Sequence, residues 1–178
     1  MDEIPRRIAI VGNAGADKSR LAVQVSAATN LPVFHLDRYF WSAGWVMVEA
    51  ETFDARHADL IAQPVWVIDG NFSRTLATRA GAADLVILFD LPRWQCLWGV
   101  LKRVAKTYGT ERPDMAPGCP ERIDFGFLAY VWAWKRKRRA QTLAALEGAI
   151  DNGRVLVVRR HRDLARVWEK LNTQAPPS

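Results

Sequence analysis

The stretch "IAIVGNAGADKSRLA", which runs from Ile8 to Ala22, limits the possible folds of this chain more than any other part of it. An apolar run ends at Gly12, a short turn follows, and Lys18 and Ser19 open a segment with apolar residues at helical spacing. The spacing approximates G-x-x-x-x-G-K-[ST], in which a turn between strand and helix cradles phosphate with backbone N–H groups. The stretch therefore predicts a strand, a phosphate-binding turn and a helix, in that order.

Asp17 departs from this pattern, because it stands where the second glycine is expected. Glycine suits that position because the backbone approaches phosphate closely and can need a conformation that is costly for other residues. A carboxylate about 5 Å from a phosphate charge opposes binding by roughly 3 kcal/mol at an effective dielectric near 20, which is on the order of a hundredfold in affinity. We interpret Asp17 as partly occupying the anion site, with partial neutralisation by Lys18, so that it stabilises the nucleotide-free protein and opposes ATP.

Short runs rich in valine and isoleucine alternate with amphipathic stretches of helix length, which is typical of βαβ units around a parallel sheet. Helices are predicted over 18–28, from Pro92 to about 105, over 123–150 and over 163–171. Strands are predicted over 7–11, 33–36, 65–69, 85–89 and 154–158. The pattern predicts an α/β fold with a parallel five-stranded sheet and helices on both faces.

Length and composition favour one domain over residues 1–178. The chain has 178 residues, of which 49% are hydrophobic, and this rules out the disordered and fibrous classes. No apolar run is long enough to span a membrane, and the N-terminus lacks the apolar core of a signal peptide. Cys96 and Cys119 have no metal-ligand spacing, so we expect a reduced, cytoplasmic protein.

Three aspartates follow predicted strands, at the sheet edge where ligands gather in open α/β folds. Asp69 opens "DGNFSRT" and suits the metal side of a phosphate site, with Arg74 placed for a substrate phosphate. Asp37 is placed to orient a phosphoryl acceptor or to take its proton. The alternative for both is a turn aspartate that caps a helix, and Asp90 is interpreted as structural. His35, inside a strand, is interpreted as a core residue.

A proline- and glycine-rich segment, about 108–122, separates two predicted helices and is too irregular for regular structure. Segments of this length are usually functional, and we interpret this one as a lid. Arg103, Arg112 and Arg122 flank or occupy it and are placed to bring guanidinium groups onto phosphates. Solvent-exposed arginines are the alternative.

The formal net charge of +6 is concentrated partly in "KRKRR", Lys135 to Arg139. A basic run late in a helix is usually solvated and suits the helix dipole. The alternative is a face that binds DNA through phosphates, without sequence preference.

Five segments together resemble the family of DNA-topology-modulation proteins, which are P-loop NTPases related to adenylate kinase. They are "GNAGADKS", "FHLDRYFW", "WVIDGNFSRTL", "DLVILFDLPRWQCLWGVLKR" and "RPDMAPGCPERID". The resemblance implies an adenylate-kinase-like fold, a substrate-side Asp37 and a lid near 112–122. It also implies transfer of phosphate from ATP to a nucleotide or another small acceptor. Asp17 and Arg20 depart from the family pattern, which has glycine and commonly threonine there.

The resulting hypothesis is a small-molecule kinase that uses ATP and Mg²⁺. Lys18, Asp37, Arg112 and Arg122 are the expected catalytic residues, Asp37 and Arg74 bind substrate, and Ser19 and Asp69 hold the metal. The expected nucleotide-binding residues are Gly12, Asn13, Ala14, Gly15, Ala16, Asp17, Lys18, Ser19, Arg20 and Arg103. Two alternatives stay open, namely a DNA-associated protein acting through its basic helix face and a homologue that binds nucleotide without turnover.

Overall fold

The computed structural model describes residues 4–172 of the chain. Five strands form one parallel sheet in the order β2-β5-β1-β6-β7, and a two-stranded antiparallel hairpin, β3-β4, lies apart from it. The strands are β1 Arg7–Gly12, β2 Val33–His35, β3 Trp41–Ser42, β4 Val46–Met47, β5 Trp66–Asp69, β6 Leu85–Phe89 and β7 Val155–Val158. The helices are α1 Lys18–Thr29, α2 Asp37–Phe40, α3 Ala50–Ile61, α4 Ser73–Ala82, α5 Arg93–Thr107, α6 Phe125–Lys137, α7 Arg139–Ala145, α8 Glu147–Asp151 and α9 Leu164–Lys170, the last preceded by a 3₁₀ turn, His161–Asp163.

The sheet is buried on both faces, because side chains of β1 alternate between two hydrophobic clusters. Ile8 and Ile10 pack with residues of α1, α5, α6 and α9, whereas Ala9 and Val11 pack with residues of α3, α4 and the α7–α8 region. Strands buried on both faces need the near-continuous apolar runs that the sequence shows. The predicted parallel five-stranded sheet with helices on both faces is confirmed.

The predicted helix over 123–150 is wrong in its continuity, because the structure divides it into α6, α7 and α8. Arg138, between α6 and α7, has φ −119°, which departs from helical geometry. The next residue, Arg139, donates from Nε and Nη2 to the carboxylate of Asp90, at 2.9–3.1 Å. Asp90 is buried at the end of β6, so this pairing anchors the chain to the sheet where the helix breaks.

The segment 108–122 contains no helix or strand but is tied together at its base. A bridge joins Tyr108 to Glu121, the Gly109 amide donates to the Glu121 carbonyl at 2.8 Å, and the Glu121 amide donates to Thr110 at 2.9 Å. That residues 1–178 form one domain stays a prediction, since residues 1–3 and 173–178 lie outside the described part. Within residues 4–172 no helix combines the length and apolar character that crossing a membrane requires.

Candidate functional site

A cavity of about 790 Å³ lies over the carboxyl ends of β1, β2 and β5. Its walls come from the loop after β1, the starts of α1 and α2, the residues after β5, one side of α5, the segment 108–122 and α6. This volume is within the usual range for small-ligand sites. The carboxyl edge of a parallel sheet is also where ligands bind in open α/β folds.

Two glycines shape the loop between β1 and α1. Gly12 and Gly15 have positive φ, 133° and 74°, which side chains with a Cβ rarely adopt. A Cβ at Gly12 would lie 2.4 Å from the carbonyl oxygen of Phe89, and one at Gly15 would lie 2.0 Å from that of Cys96. The loop therefore sits against β6 and α5 more closely than any other residue type would permit.

Asp17 adopts the left-handed conformation, with φ 62° and ψ 25°, immediately before α1. The expectation that this position favours glycine therefore has a geometric basis. The interpretation of a carboxylate neutralised by Lys18 finds no support in the geometry. The Lys18 Nζ donates to the Asn13 carbonyl at 2.8 Å instead, and within residues 4–172 no hydrogen bond or ion pair involves the exposed Asp17 carboxylate.

Ser19 and Asp69 meet at the floor of the cavity. The Ser19 hydroxyl donates to Asp69 Oδ2 at 2.6 Å, and His35 Nδ1 lies 2.5 Å from Oδ1 of the same carboxylate. Mg²⁺ prefers oxygen ligands and binds through one or two protein groups beside substrate phosphates. A hydroxyl and a carboxylate in contact at the foot of the phosphate loop fit that requirement.

His35 was interpreted as a packed core residue, and it is buried as expected. Its ring nevertheless lines the cavity and contacts Asp69. Burial lowers the pKa of His35, but the hydrogen bond and charge of Asp69, together with Asp114 and Asp37, outweigh burial and raise it. The ring thus orients the Asp69 carboxylate from the side opposite Ser19.

The Lys18 side chain lies among carboxylates at the same end of the cavity. Burial lowers the pKa of its amine, and the charges of Asp69 and Asp37 oppose that effect. An amine in this position stabilises negative charge without needing an ion-pair partner of its own.

Asp37, the first residue of α2, is half-buried and lines the cavity. Burial and the nearby charge of Asp69 raise the pKa of Asp37 to about 6, against the opposing effect of Lys18 and Arg112. A carboxylate that titrates near neutrality is suited to accept a proton.

The segment 108–122 packs against the β3-β4 hairpin rather than projecting into solvent. Its residues Met115, Ala116 and Cys119 form a small buried cluster with Trp41 and Trp45. Both tryptophans also line the cavity. The hairpin and the predicted lid therefore form one wall.

The three lid-associated arginines all line the cavity, but in different environments. Arg103 and Arg112 are largely buried and both form ion pairs with Glu121. Arg122 is more exposed and lies over the Trp45 ring, 5.4 Å from its centroid. Arg20, on α1, is exposed and also lines the cavity.

Arg74 does not reach the cavity. Its guanidinium pairs with Asp54 of α3, with Nη2 2.7 Å from Oδ2, and 61% of the side chain is exposed. The expected contact between Arg74 and a substrate phosphate therefore has no geometric support. The pairing is the physical reason, because it holds the side chain on the α3–α4 surface.

The basic run Lys135 to Arg139 does not form one face. Lys135 and Arg139 pair with the buried Asp90, whereas Arg138 lines the main cavity. Arg136 and Lys135 line a separate groove of about 360 Å³ with Trp94 and Trp132. The charges of the run are therefore divided among Asp90, the main cavity and this groove.

Sequence reasoning missed several cavity residues, namely Asn71, Asp114, Glu121, Tyr130 and Arg138. Asn71 lies two residues after Asp69, and Asp114 and Glu121 lie in the predicted lid. Their closeness in sequence to predicted site residues could therefore have identified all three as candidates. Tyr130 and Arg138 belong to the α6 region, whose approach to the cavity no sequence pattern indicated.

No protein-family model and no curated protein matches the chain. Among solved structures, a gluconokinase from Sinorhizobium meliloti 1021 is similar, with TM-score 0.52 and 15% sequence identity over 96% of this chain and 91% of that one. A shikimate kinase from Bacteroides thetaiotaomicron is similar with TM-score 0.52 and 14% identity, over 94% of this chain and 99% of that one. These similarities show that the chain has the fold of the P-loop kinases. The more specific resemblance to the DNA-topology-modulation family is not confirmed.

Proposed function

We propose that this protein is a phosphotransferase that uses Mg²⁺ and ATP to phosphorylate a small molecule. One observation carries the proposal: Lys18 and Ser19 of α1, Asp69 of β5 and Asp37 of α2 come together to line one cavity. Phosphoryl transfer requires cations, a metal held by hydroxyl and carboxylate, and a group that orients the acceptor. The kinase fold supports the same conclusion, although fold alone does not determine activity.

The donor nucleotide would bind along the loop from Gly12 to Ser19. Backbone N–H groups and the start of α1 supply positive potential, and Lys18 supplies the mobile cation. Ser19 and Asp69 would hold Mg²⁺, and His35 orients Asp69 from its other oxygen. The bound metal would neutralise negative charge on the phosphate oxygens. Arg20 and Arg103 line the neighbouring wall.

The acceptor would bind between α2 and α6, where Asp37, Asn71, Tyr130 and Arg138 line the cavity. Asp37 takes the proton of an acceptor hydroxyl while that oxygen forms the new bond to the γ-phosphorus. The bond from phosphorus to the bridging oxygen of ADP breaks in the same transfer. Arg112 and Arg122 offset charge on the moving phosphoryl group, and the lid excludes competing water.

The expected location and partners stay part of the proposal. The free, buried cysteines Cys96 and Cys119 fit a reducing, cytoplasmic location. The partners proposed are ATP and one small acceptor.

The DNA-associated alternative is the weaker candidate, because pairing with Asp90 occupies two of the five charges from Lys135 to Arg139. It requires DNA affinity that falls steeply with salt and disappears when those charges are neutralised. Unchanged retention on a DNA column after neutralisation would remove it.

A phosphotransfer assay distinguishes the kinase from a homologue that binds nucleotide without turnover. The chain and its Asp17→Gly variant are incubated with Mg²⁺, labelled ATP and a panel of nucleosides, nucleotides, sugars and sugar acids. We expect a labelled product from the glycine variant, and none from the same variant carrying Lys18→Met. A glycine variant that binds ATP yet stays inert across the panel would favour the non-catalytic homologue.

A further inference from the structure

Glu121 is an acidic residue that the proposed transfer does not use, although it lies at the cavity wall. Its side chain is 4% exposed, and its backbone closes the base of the lid through Tyr108, Gly109 and Thr110. A carboxylate buried to this extent must be compensated by cations or hydrogen bonds.

Two arginines provide that compensation at a single oxygen. Arg103 Nε lies 2.9 Å and Arg112 Nε lies 2.8 Å from Glu121 Oε2. A longer hydrogen bond runs from Arg103 Nη2 to Oε1, at 3.4 Å. Arg112 is also held by Asp114, to which its Nη1 donates at 2.9 and 3.1 Å. Glu121 therefore joins an arginine of α5 to an arginine of the lid.

The contacts of the two arginines to Glu121 Oε2 are ion pairs rather than well-aligned hydrogen bonds. Neither Arg103 Nε nor Glu121 Oε2 has a well-aligned hydrogen-bond partner within the described part of the chain. Two guanidinium groups this close also repel each other. Burial and Arg112 lower the pKa of Arg103, whereas Glu121 and Asp114 raise it. The negative charge of Glu121 thus offsets a repulsion that would otherwise separate the two arginines.

The two arginines both line the cavity and lie close to each other, because each contacts the same oxygen of Glu121. The charge of Arg103 acts on Lys18, and the charge of Arg112 acts on Asp37. The shared carboxylate fixes their separation.

We propose that Glu121 is a positioning residue that holds Arg103 and Arg112 as a pair around the terminal phosphate of the nucleotide. This inference rests on the proposed function. Guanidinium groups fixed before binding stabilise phosphate charge without reorganisation, whereas released ones must be ordered by the ligand. The contribution is therefore specific to the γ-phosphate and leaves the binding of ADP nearly unchanged.

Glu121→Gln tests this, because it removes the charge while keeping the side-chain length. Affinities for Mg-ATP and Mg-ADP are measured by calorimetry, each with the native Asp17 and with Asp17→Gly. We expect Glu121→Gln to reduce the preference for ATP over ADP about fivefold or more, with ADP affinity changed less than about twofold. Glu111→Gln is the matched control, because Glu111 lies in the same segment but, among residues 4–172, accepts a hydrogen bond only from the Gly118 amide.

The outcomes separate this inference from the proposed function. Equal loss in both glutamine variants, or no loss in Glu121→Gln, overturns the positioning role while nucleotide binding stands. Absence of binding to every form, including those with Asp17→Gly, overturns the proposed function and this inference together. If Glu121→Gln does not unfold cooperatively, Glu121→Asp takes its place. It keeps the charge but is too short to meet both arginines, and an unchanged ATP preference there also overturns the inference.

Discussion

At the residue scale, Asp17 combines two separable effects, backbone strain and negative charge. Asp17→Gly removes both, and Asp17→Asn removes only the charge, since asparagine also tolerates the left-handed conformation. We expect the glycine variant to raise Mg-ATP affinity about tenfold or more. This is less than the hundredfold derived from the sequence, because the carboxylate is exposed to solvent.

The same glycine variant should gain about 1 kcal/mol in the free energy of unfolding, because it relieves the left-handed strain. Calorimetry and denaturant unfolding of the three proteins measure the two effects separately. If charge dominates binding, the asparagine variant recovers most of the affinity. If neither variant binds ATP more tightly than the parent, Asp17 does not oppose the nucleotide.

Asp37 gives a prediction about pH. Its pKa is raised to about 6 from an unfolded value of 3.8, through burial and Asp69, with Lys18 and Arg112 opposing and Asp114 adding to the increase. The folded state therefore favours the protonated carboxyl. The associated stability is present below about pH 4 and is lost as the pH rises through about 6.

Asp37→Asn should consequently stabilise the protein at pH 8 by about 1–2 kcal/mol, after allowance for partial exposure. The gain should disappear below about pH 4, while phosphotransfer is lost at every pH. Thermal unfolding across this range checks the prediction, with Asp59→Asn on the exposed surface of α3 as control. A gain that is independent of pH would show that ionisation of Asp37 is not its source.

Residues at the ends of strands could be placed from the sequence because strand patterns are local. Asp37 and Asp69 were expected at the ends of strands, and Lys18 and Ser19 at the start of the helix after the phosphate loop, and all four line the cavity. The expected role of Arg74 lacks geometric support because its environment depends on Asp54, in a helix that was not predicted from the sequence. A tertiary ion pair between two unassigned elements leaves no signal in residue spacing.

At the scale of elements, the contact between the phosphate loop and α5 depends on two glycines. A Cβ at Gly99 would lie 2.1 Å from the carbonyl oxygen of Gly15, and backbone at that distance must move. We expect Gly99→Ala to destabilise the fold by about 1–3 kcal/mol. Because the displaced backbone is the phosphate loop, Mg-ATP affinity should fall about tenfold.

Gly81→Ala is the matched control for that change. Gly81 is also helical, but a Cβ there meets no atom within 4 Å. Alanine at such a position should stabilise the protein by about 0.5–1 kcal/mol, because it reduces the freedom of the unfolded chain. Denaturant unfolding and ATP titration of both variants give the comparison. Equal behaviour of the two alanines would show that the loop and α5 are not tightly coupled.

The break in the predicted 123–150 helix shows where element prediction stops. Helical spacing continues through Arg138 in the sequence, yet the side chain of Arg139 binds Asp90 at the end of β6. Pairing with a buried carboxylate outweighs local propensity, which amounts to less than about 1 kcal/mol per residue. The ion pair joins residues 49 positions apart, and helical periodicity in the sequence carries no information about such a distant contact.

At the scale of the whole molecule, apolar runs were sufficient to predict a parallel sheet covered on both faces. Only the nucleotide side of the cavity could be predicted from the sequence, because that side is built from residues close to one motif. Its other wall joins the lid to the β3-β4 hairpin through Trp41 and Trp45. A wall assembled from segments about 75 residues apart can be located only in three dimensions.

Ligand binding to this cavity should stabilise the entire fold, since only the folded chain brings Lys18, Ser19 and Asp69 together. With Asp17→Gly, Mg-ATP at about 100 times its Kd should add roughly 2.7 kcal/mol to the free energy of unfolding. For a chain of this size, that corresponds to an increase in Tm on the order of 5–10 °C. Chelating Mg²⁺ with EDTA should remove most of the increase, because the phosphate charges then face the Asp69 carboxylate without the metal. Asp69→Asn should do the same, because it removes a charged ligand of the metal. The Arg74→Gln variant should keep the full increase, since that guanidinium binds Asp54 outside the cavity. If Arg74→Gln lost it while Asp69→Asn kept it, Arg74 would contact phosphate, as the sequence suggested for a substrate phosphate, and the assignment of the metal to Ser19 and Asp69 would be wrong.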